Sequence, residues 1–141
     1  MIIAKELEWT REYIESVTHL LPHLKNLKRI NTRKASKKFI QWCHGVCTKY
    51  YNGKNFRITL YTNAMSIKKI KPLNINIVQY SKMEMLMTLA HELAHLEHWN
   101  HTPDHKSLEC TIGLVFMAKL KAEGYVSEEE EAKLVNGFKI S

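Results

Sequence analysis

No apolar run in this chain approaches the roughly eighteen residues that a membrane span requires. Cysteine is scarce: Cys43, Cys47 and Cys110 are the whole complement, too few and odd in number for a disulfide framework. The opening residues, MIIAKELEWTREYIE, lack the pattern of a signal peptide, so a cytoplasmic protein without membrane attachment is expected. No repeat and no low-complexity linker breaks the 141 residues. That length suits a single domain, 1–141, with one modest core.

The most uneven absence is of acid. Between Ser16 and Met83 there is no Asp or Glu, while Lys25, Lys28, Arg29, Arg33, Lys34, Lys37, Lys38, Lys49, Lys54 and Arg57 all fall there. The net charge is +7. Segment 25–38 alone carries seven Lys or Arg. Such a concentration attracts polyanions, so nucleic acid is an expected partner, against the plainer reading of a solvated basic surface.

Periodicity places the elements. Ile3, Leu7, Ile14, Val17 and Leu21 recur at nearly helical spacing, predicting a helix over 3–21 that ends near Pro22. Ala35, Phe39, Trp42, Cys43, Val46, Cys47 and Tyr50 predict a second helix beginning after Asn31 or Thr32. On that stripe the cysteines read as small hydrophobes rather than metal ligands. YNGKN at 51–55 predicts a turn, and FRITLY alternates as a half-buried strand. LNINIVQY at 73–80 reads as another strand. Ser81 with Glu84 forms a capping box before a long helix that Asn100 can end. Thr102 with Pro103 starts the next helix, which runs to about Glu123 before Gly124. Ser127 with Glu130 opens a short last one. The order predicts an α+β domain.

Chemistry concentrates in LAHELAHLEHWNHTPDH, residues Leu89 to His105. His91-Glu92-Leu93-Ala94-His95 is an H-E-x-x-H sequence. Residues four apart lie on one helix face, so both imidazoles can reach one ion. Glu92, turned about 100° from His91, stays beside that ion rather than on it. A zinc ion with three protein ligands keeps a position for water and lowers its pKa to roughly 7. A neighbouring carboxylate then takes the proton and passes it to the leaving amine.

His98, His101 and His105 compete for the third ligand position. His98 shares the helix face but stands about 10 Å from His91 along the axis. His101 follows Asn100, where the chain can turn back, and His105 falls in the first turn of the next helix. Glu109, four residues after His105, reads equally as a residue that orients a ligand or as a solvated helix residue. Trp99 and His98 suit a cleft rim, with packing the plainer reading. Tyr61, Tyr80, Tyr125, His98 and His105 are all candidates to stabilise an oxyanion.

The stretch HELAHLEHWNHTPDHKSLE resembles the motif of the SprT-like, WLM and YgjP-like metallopeptidases, and the likeness covers roughly 73–120. In that motif a third His stands six positions after the second, which lands on His101. The chain departs from it at His105, where those families usually carry an aromatic residue. The resemblance implies a compact minimal zincin fold and Zn2+ held by His91, His95 and His101. It implies Glu92 as general base and acid, and a protein or peptide substrate, including DNA-associated proteins. It also implies a strand beside the active-site helix, FRITLY or LNINIVQY, that receives an extended peptide. Two other readings stand beside it: a metal-dependent hydrolase of a non-peptide substrate such as a nucleotide, and a nucleic-acid-binding module with a structural metal.

Overall fold

A computed structural model describes residues 1–34, 45–61 and 77–124. The architecture is α+β, a four-stranded sheet with helices packed on it. Strand β1 (Ile2–Ile3) pairs parallel with β2 (Leu27–Arg33), β2 pairs parallel with β4 (Phe56–Tyr61), and β3 (Gly45–Lys49) pairs antiparallel with β4. The spatial order is β1-β2-β4-β3. No helix among the described residues is long and apolar enough to cross a membrane.

The N-terminal helix is shorter than its periodicity predicts. Only α1 (Arg11–Ser16) is α-helical, between 3-10 turns at Lys5–Thr10 and Thr18–Leu20. Hydroxyls explain the tight winding. Thr10 Oγ1 donates to the Leu7 carbonyl at 2.7 Å and Thr18 Oγ1 to the Glu15 carbonyl at 2.9 Å, drawing those carbonyls toward i−3 geometry. The apolar face survives: Leu7, Ile14, Val17 and Leu21 are buried.

The predicted second helix is corrected at both ends that are described. Residues 27–33 form β2 and 45–49 form β3, while 35–44 lie outside the described residues. In β2 a register irregularity between Leu27 and Arg29 breaks the alternation that marks a strand. In β3, Val46-Cys47-Thr48 pairs with Thr59-Ile58-Arg57, and the β-branched residues suit a pleated surface. The 51–55 turn then becomes a hairpin loop. Asn52 Oδ1 accepts from the backbone N–H of Lys54 and Asn55, and Gly53 takes φ 67°. Gly45 answers a close approach: a Cβ there would meet Thr88 Cγ2 at 2.8 Å and Leu60 Cδ2 at 3.0 Å.

Two strand expectations also change. FRITLY is β4 as predicted, but it lies between β2 and β3 and offers no free edge. Among the described residues β3 is the outer strand on that side. Ile77–Tyr80 is helical, the start of α2 (Ile77–Ala94), so Ser81 lies inside the helix and is not its cap. A short apolar run without Gly or Pro does not itself distinguish strand from helix.

Helix α3 (Pro103–Ala122) begins and ends as predicted. Thr102 Oγ1 accepts from the His105 backbone N–H at 3.2 Å, Pro103 occupies the first turn, and Gly124 takes φ 80° beyond the end. Its inward stripe runs His105, Glu109, Ile112, Phe116 and Leu120. The apolar end of that stripe joins Leu86, Leu89 and Leu93 of α2 and Ile30, Ile58 and Leu60 of the sheet in the core. Each such buried side chain contributes roughly 1.5–3 kcal/mol by leaving water. The polar end faces the histidines of α2. Residues 125–141, with Tyr125 and the predicted last helix, lie outside the described residues.

Candidate metal centre

Helix α2 stops at Ala94, earlier than the predicted end near Asn100. The backbone N–H groups of His95, Leu96 and Glu97 donate to the carbonyls of Glu92, Leu93 and Ala94, an i−3 pattern that tightens the last turn. The following segment then folds back toward the helix. Glu97 anchors it, accepting from the His23 backbone N–H at 2.8 Å with the His23 ring 2.5 Å away. This early unwinding brings His101 onto His91, in the last turn of α2, and onto His95 just beyond it.

The result is a convergence of ring nitrogens. His91 Nε2 lies 3.3 Å from His95 Nε2 and 3.2 Å from His101 Nε2. In His91 and His95 the other nitrogen fixes the proton. His91 Nδ1 lies 2.6 Å from a Glu109 carboxylate oxygen, and His95 Nδ1 lies 3.3 Å from the His98 carbonyl. Both partners only accept, so each Nδ1 donates and, in the neutral rings, each Nε2 presents a lone pair. Two lone pairs facing each other at 3.3 Å have no proton to share. Ligand atoms about 2.0–2.1 Å from one tetrahedral ion would stand about 3.3 Å apart. The residues therefore fit a metal ion: His91, His95 and His101 could hold one.

His91, His105 and Glu109 form a second grouping whose ligand atoms approach closely enough for an ion. In it His105 Nε2–H donates to the His91 carbonyl at 3.1 Å, which leaves Nδ1, 3.9 Å from Glu109, as the nitrogen His105 would offer. His98 brings its carbonyl to the site and its imidazole to neither grouping. Glu109 does orient a histidine, but that histidine is His91 across the helix pair, with His105 Nδ1 farther off at 3.9 Å.

Glu92 is 4% exposed, and one of its oxygens lies 3.8 Å from His91 Nε2. Its other oxygen is buried without a hydrogen-bond partner among the described residues. Burial pushes this carboxyl up to about 7, against the pull of His91 and the Cys47 backbone N–H. Burial also holds the His95 imidazole down to about 4, helped by the neighbouring histidines. The His91 imidazole is raised, chiefly by its bond to Glu109. Burial works to raise the Glu109 carboxyl, but His91 and Lys106 together bring it below its ordinary value. Cys47, beside Glu92 on β3, has its thiol pushed up to about 12 by burial, as a packed hydrophobe should.

His101 is exposed, and a cavity of about 480 Å³ opens beside the cluster, lined by His91, His101, Thr102, His105, Lys106 and Glu109. On the other side Trp99, 40% exposed, stands 6.0 Å from the His95 ring with the Lys49 ammonium 4.3 Å over its face. Its ring also lies 5.9 Å from that of buried Phe56, so packing accounts for Trp99. Tyr61 ends β4, and the Tyr80 side chain and Tyr125 lie outside the described residues.

Comparison of the chain with protein-family models, curated proteins and solved structures finds no significant match.

Proposed function

We propose that this chain is a zinc-dependent metallopeptidase of minimal zincin type, with His91, His95 and His101 as ligands and Glu92 as general base and then acid. One observation carries the reading: three imidazole nitrogens converge beside the buried Glu92 carboxylate, one oxygen of which lies 3.8 Å from His91 Nε2 while the other has no hydrogen-bond partner among the described residues. A purely structural ion has no use for such a carboxylate, which favours an enzyme over a binding module with a structural metal. The likeness to the SprT-like, WLM and YgjP-like motif favours a peptide bond over other electrophiles.

When bound, zinc supplies a Lewis acid that polarises the substrate carbonyl and acidifies water beside it. The chain's residues do the rest. His91 and His95 are held by Nδ1 hydrogen bonds to Glu109 and to the His98 carbonyl, so their rings are oriented before any ligand arrives. Glu92, buried with one oxygen 3.8 Å from His91 Nε2, stands where a carboxylate would accept a proton from the attacking water and return it to the leaving nitrogen. The exposed His101 side and the cavity beside it leave the substrate an approach.

A polyanion-associated substrate is supported by the sheet register. Arg29 and Arg33 share one face of β2 and are exposed, with half-buried Arg57 paired beside Arg29 and no acid in the strands. This favours proteins associated with nucleic acid. The test is turnover of a disordered protein by zinc-loaded chain, with Glu92→Gln alongside. The variant should keep zinc and lose at least about a hundredfold in rate; unchanged turnover would remove Glu92 from the mechanism.

A further inference from the structure

We infer that Glu109 is a positioning residue for His91: from α3 it fixes the proton on Nδ1 and so presents Nε2 to the metal. The inference rests on the reading of His91, His95 and His101 as ligands, and it assigns to the neighbouring helix a share in metal binding that the ligand set alone does not contain.

The geometry is specific. Glu109 is 8% exposed and lies on the inward stripe of α3, with Oε1 2.6 Å from His91 Nδ1 and Oε2 3.6 Å from the Lys106 ammonium. Both carboxylate oxygens are therefore directed, one at the imidazole and one at a cation. The competing role, in which Glu109 itself ligates together with His91 and His105, fits the distances less well. Ligand atoms on one tetrahedral ion stand about 3.3 Å apart, whereas 2.6 Å matches a charge-assisted hydrogen bond with its proton between the atoms. His105, for its part, directs Nε2 at the His91 carbonyl, 3.1 Å away. It steadies the backbone of the residue that Glu109 orients.

His91 and His95 consequently differ in kind. His95 Nδ1 faces a neutral carbonyl at 3.3 Å, whereas His91 Nδ1 faces a carboxylate at 2.6 Å. A carboxylate makes the ring opposite it the stronger donor and removes the tautomer in which Nε2 carries the proton. His91 is also the ring common to both close nitrogen pairs of the cluster, so its orientation controls the whole set.

The experiment has two arms on the full chain. The first reads the His91 tautomer by nitrogen-15 NMR of metal-free protein labelled at histidine. The proton is expected on Nδ1; a proton on Nε2, or an even mixture, overturns the inference. The second measures zinc affinity by competition with a chromophoric chelator. Glu109→Ala should weaken zinc about 10- to 100-fold, and Glu109→Gln, whose amide oxygen can still accept, should recover most of the loss. Affinity equal to the unaltered chain in Glu109→Ala overturns the inference, as does Glu109→Gln faring no better than Glu109→Ala. Should Glu109→Ala not fold, the tautomer of the unaltered chain and the affinity of Glu109→Gln decide the matter. Failure of the unaltered chain to take up zinc is a different result: it strikes the proposed metallopeptidase itself, whatever the tautomer.

Discussion

His91 Nε2 and His95 Nε2 face each other at 3.3 Å, each ring having its other nitrogen committed as a donor. With both rings neutral the pair has no proton to share between those two nitrogens, and a bound cation would resolve it. Zinc should accordingly stabilise the fold by mass action, by about 2.7 kcal/mol at a free concentration a hundred times Kd.

The third ligand follows from the same geometry. His101→Ala should lose most bound zinc, because it removes a nitrogen 3.2 Å from His91 Nε2. His105→Ala should keep zinc while losing stability, since it deletes a 2%-exposed side chain bonded to the His91 carbonyl. Zinc stoichiometry of the two purified variants checks this, and the reverse order would move the ligand role to His105.

Glu92 makes metal-free stability depend on pH. Its carboxyl is raised from an ordinary 4.5 to about 7 by burial, so the folded chain holds a proton that the unfolded chain has released. Its contribution is fully present below pH 4.5 and is lost as pH rises through about 7. His95, held down to about 4, acts oppositely, its contribution being lost as pH falls toward 4. Comparison with Glu92→Gln isolates the carboxyl. The unfolding free energy of the unaltered chain minus that of the variant should fall by about 3 kcal/mol between pH 4.5 and 7. Urea titrations in chelator measure it, and a flat difference would mean the carboxyl is not desolvated.

Gly45 lets β3 approach α2, the strand that carries Cys47 toward Glu92. Gly45→Ala should destabilise by about 1–3 kcal/mol, because its Cβ would sit 2.8 Å from Thr88 Cγ2. Adding Thr88→Ser removes that methyl and should recover part of the loss. Thermal unfolding of the single and double variants checks the pair.

The basic face gives a salt signature. Binding to duplex DNA should weaken with salt, with a log–log slope near −0.9 for each phosphate contacted. Arg29→Ala with Arg33→Ala, both exposed in β2, should reduce that slope by about 2. A slope unchanged by the pair would place the contacts elsewhere.

Much of the site was legible because its signals are local. The i, i+4 histidines, the Thr102 cap with Pro103 and the turn at Gly53 each depend on a few adjacent residues. The misread elements depend on partners distant in sequence. Val46 and Cys47 satisfy a helical stripe and a strand alike, and pairing with Thr59 and Ile58 decides between them. In β2 the irregular register hid the alternation. The end of α2 at Ala94 left no mark as strong as Gly or Pro, yet it is what carries His101 back. Glu109 was visible as a carboxylate four residues from His105, but its bond to His91 arises only once α3 packs on α2.

The most direct measurement is X-ray absorption at the zinc edge on protein loaded to saturation. One zinc per chain, with three imidazole nitrogens and a single exchangeable oxygen at about 2.0 Å, is the predicted result. A fully protein-ligated ion, or histidines not bound to the zinc, would contradict the account.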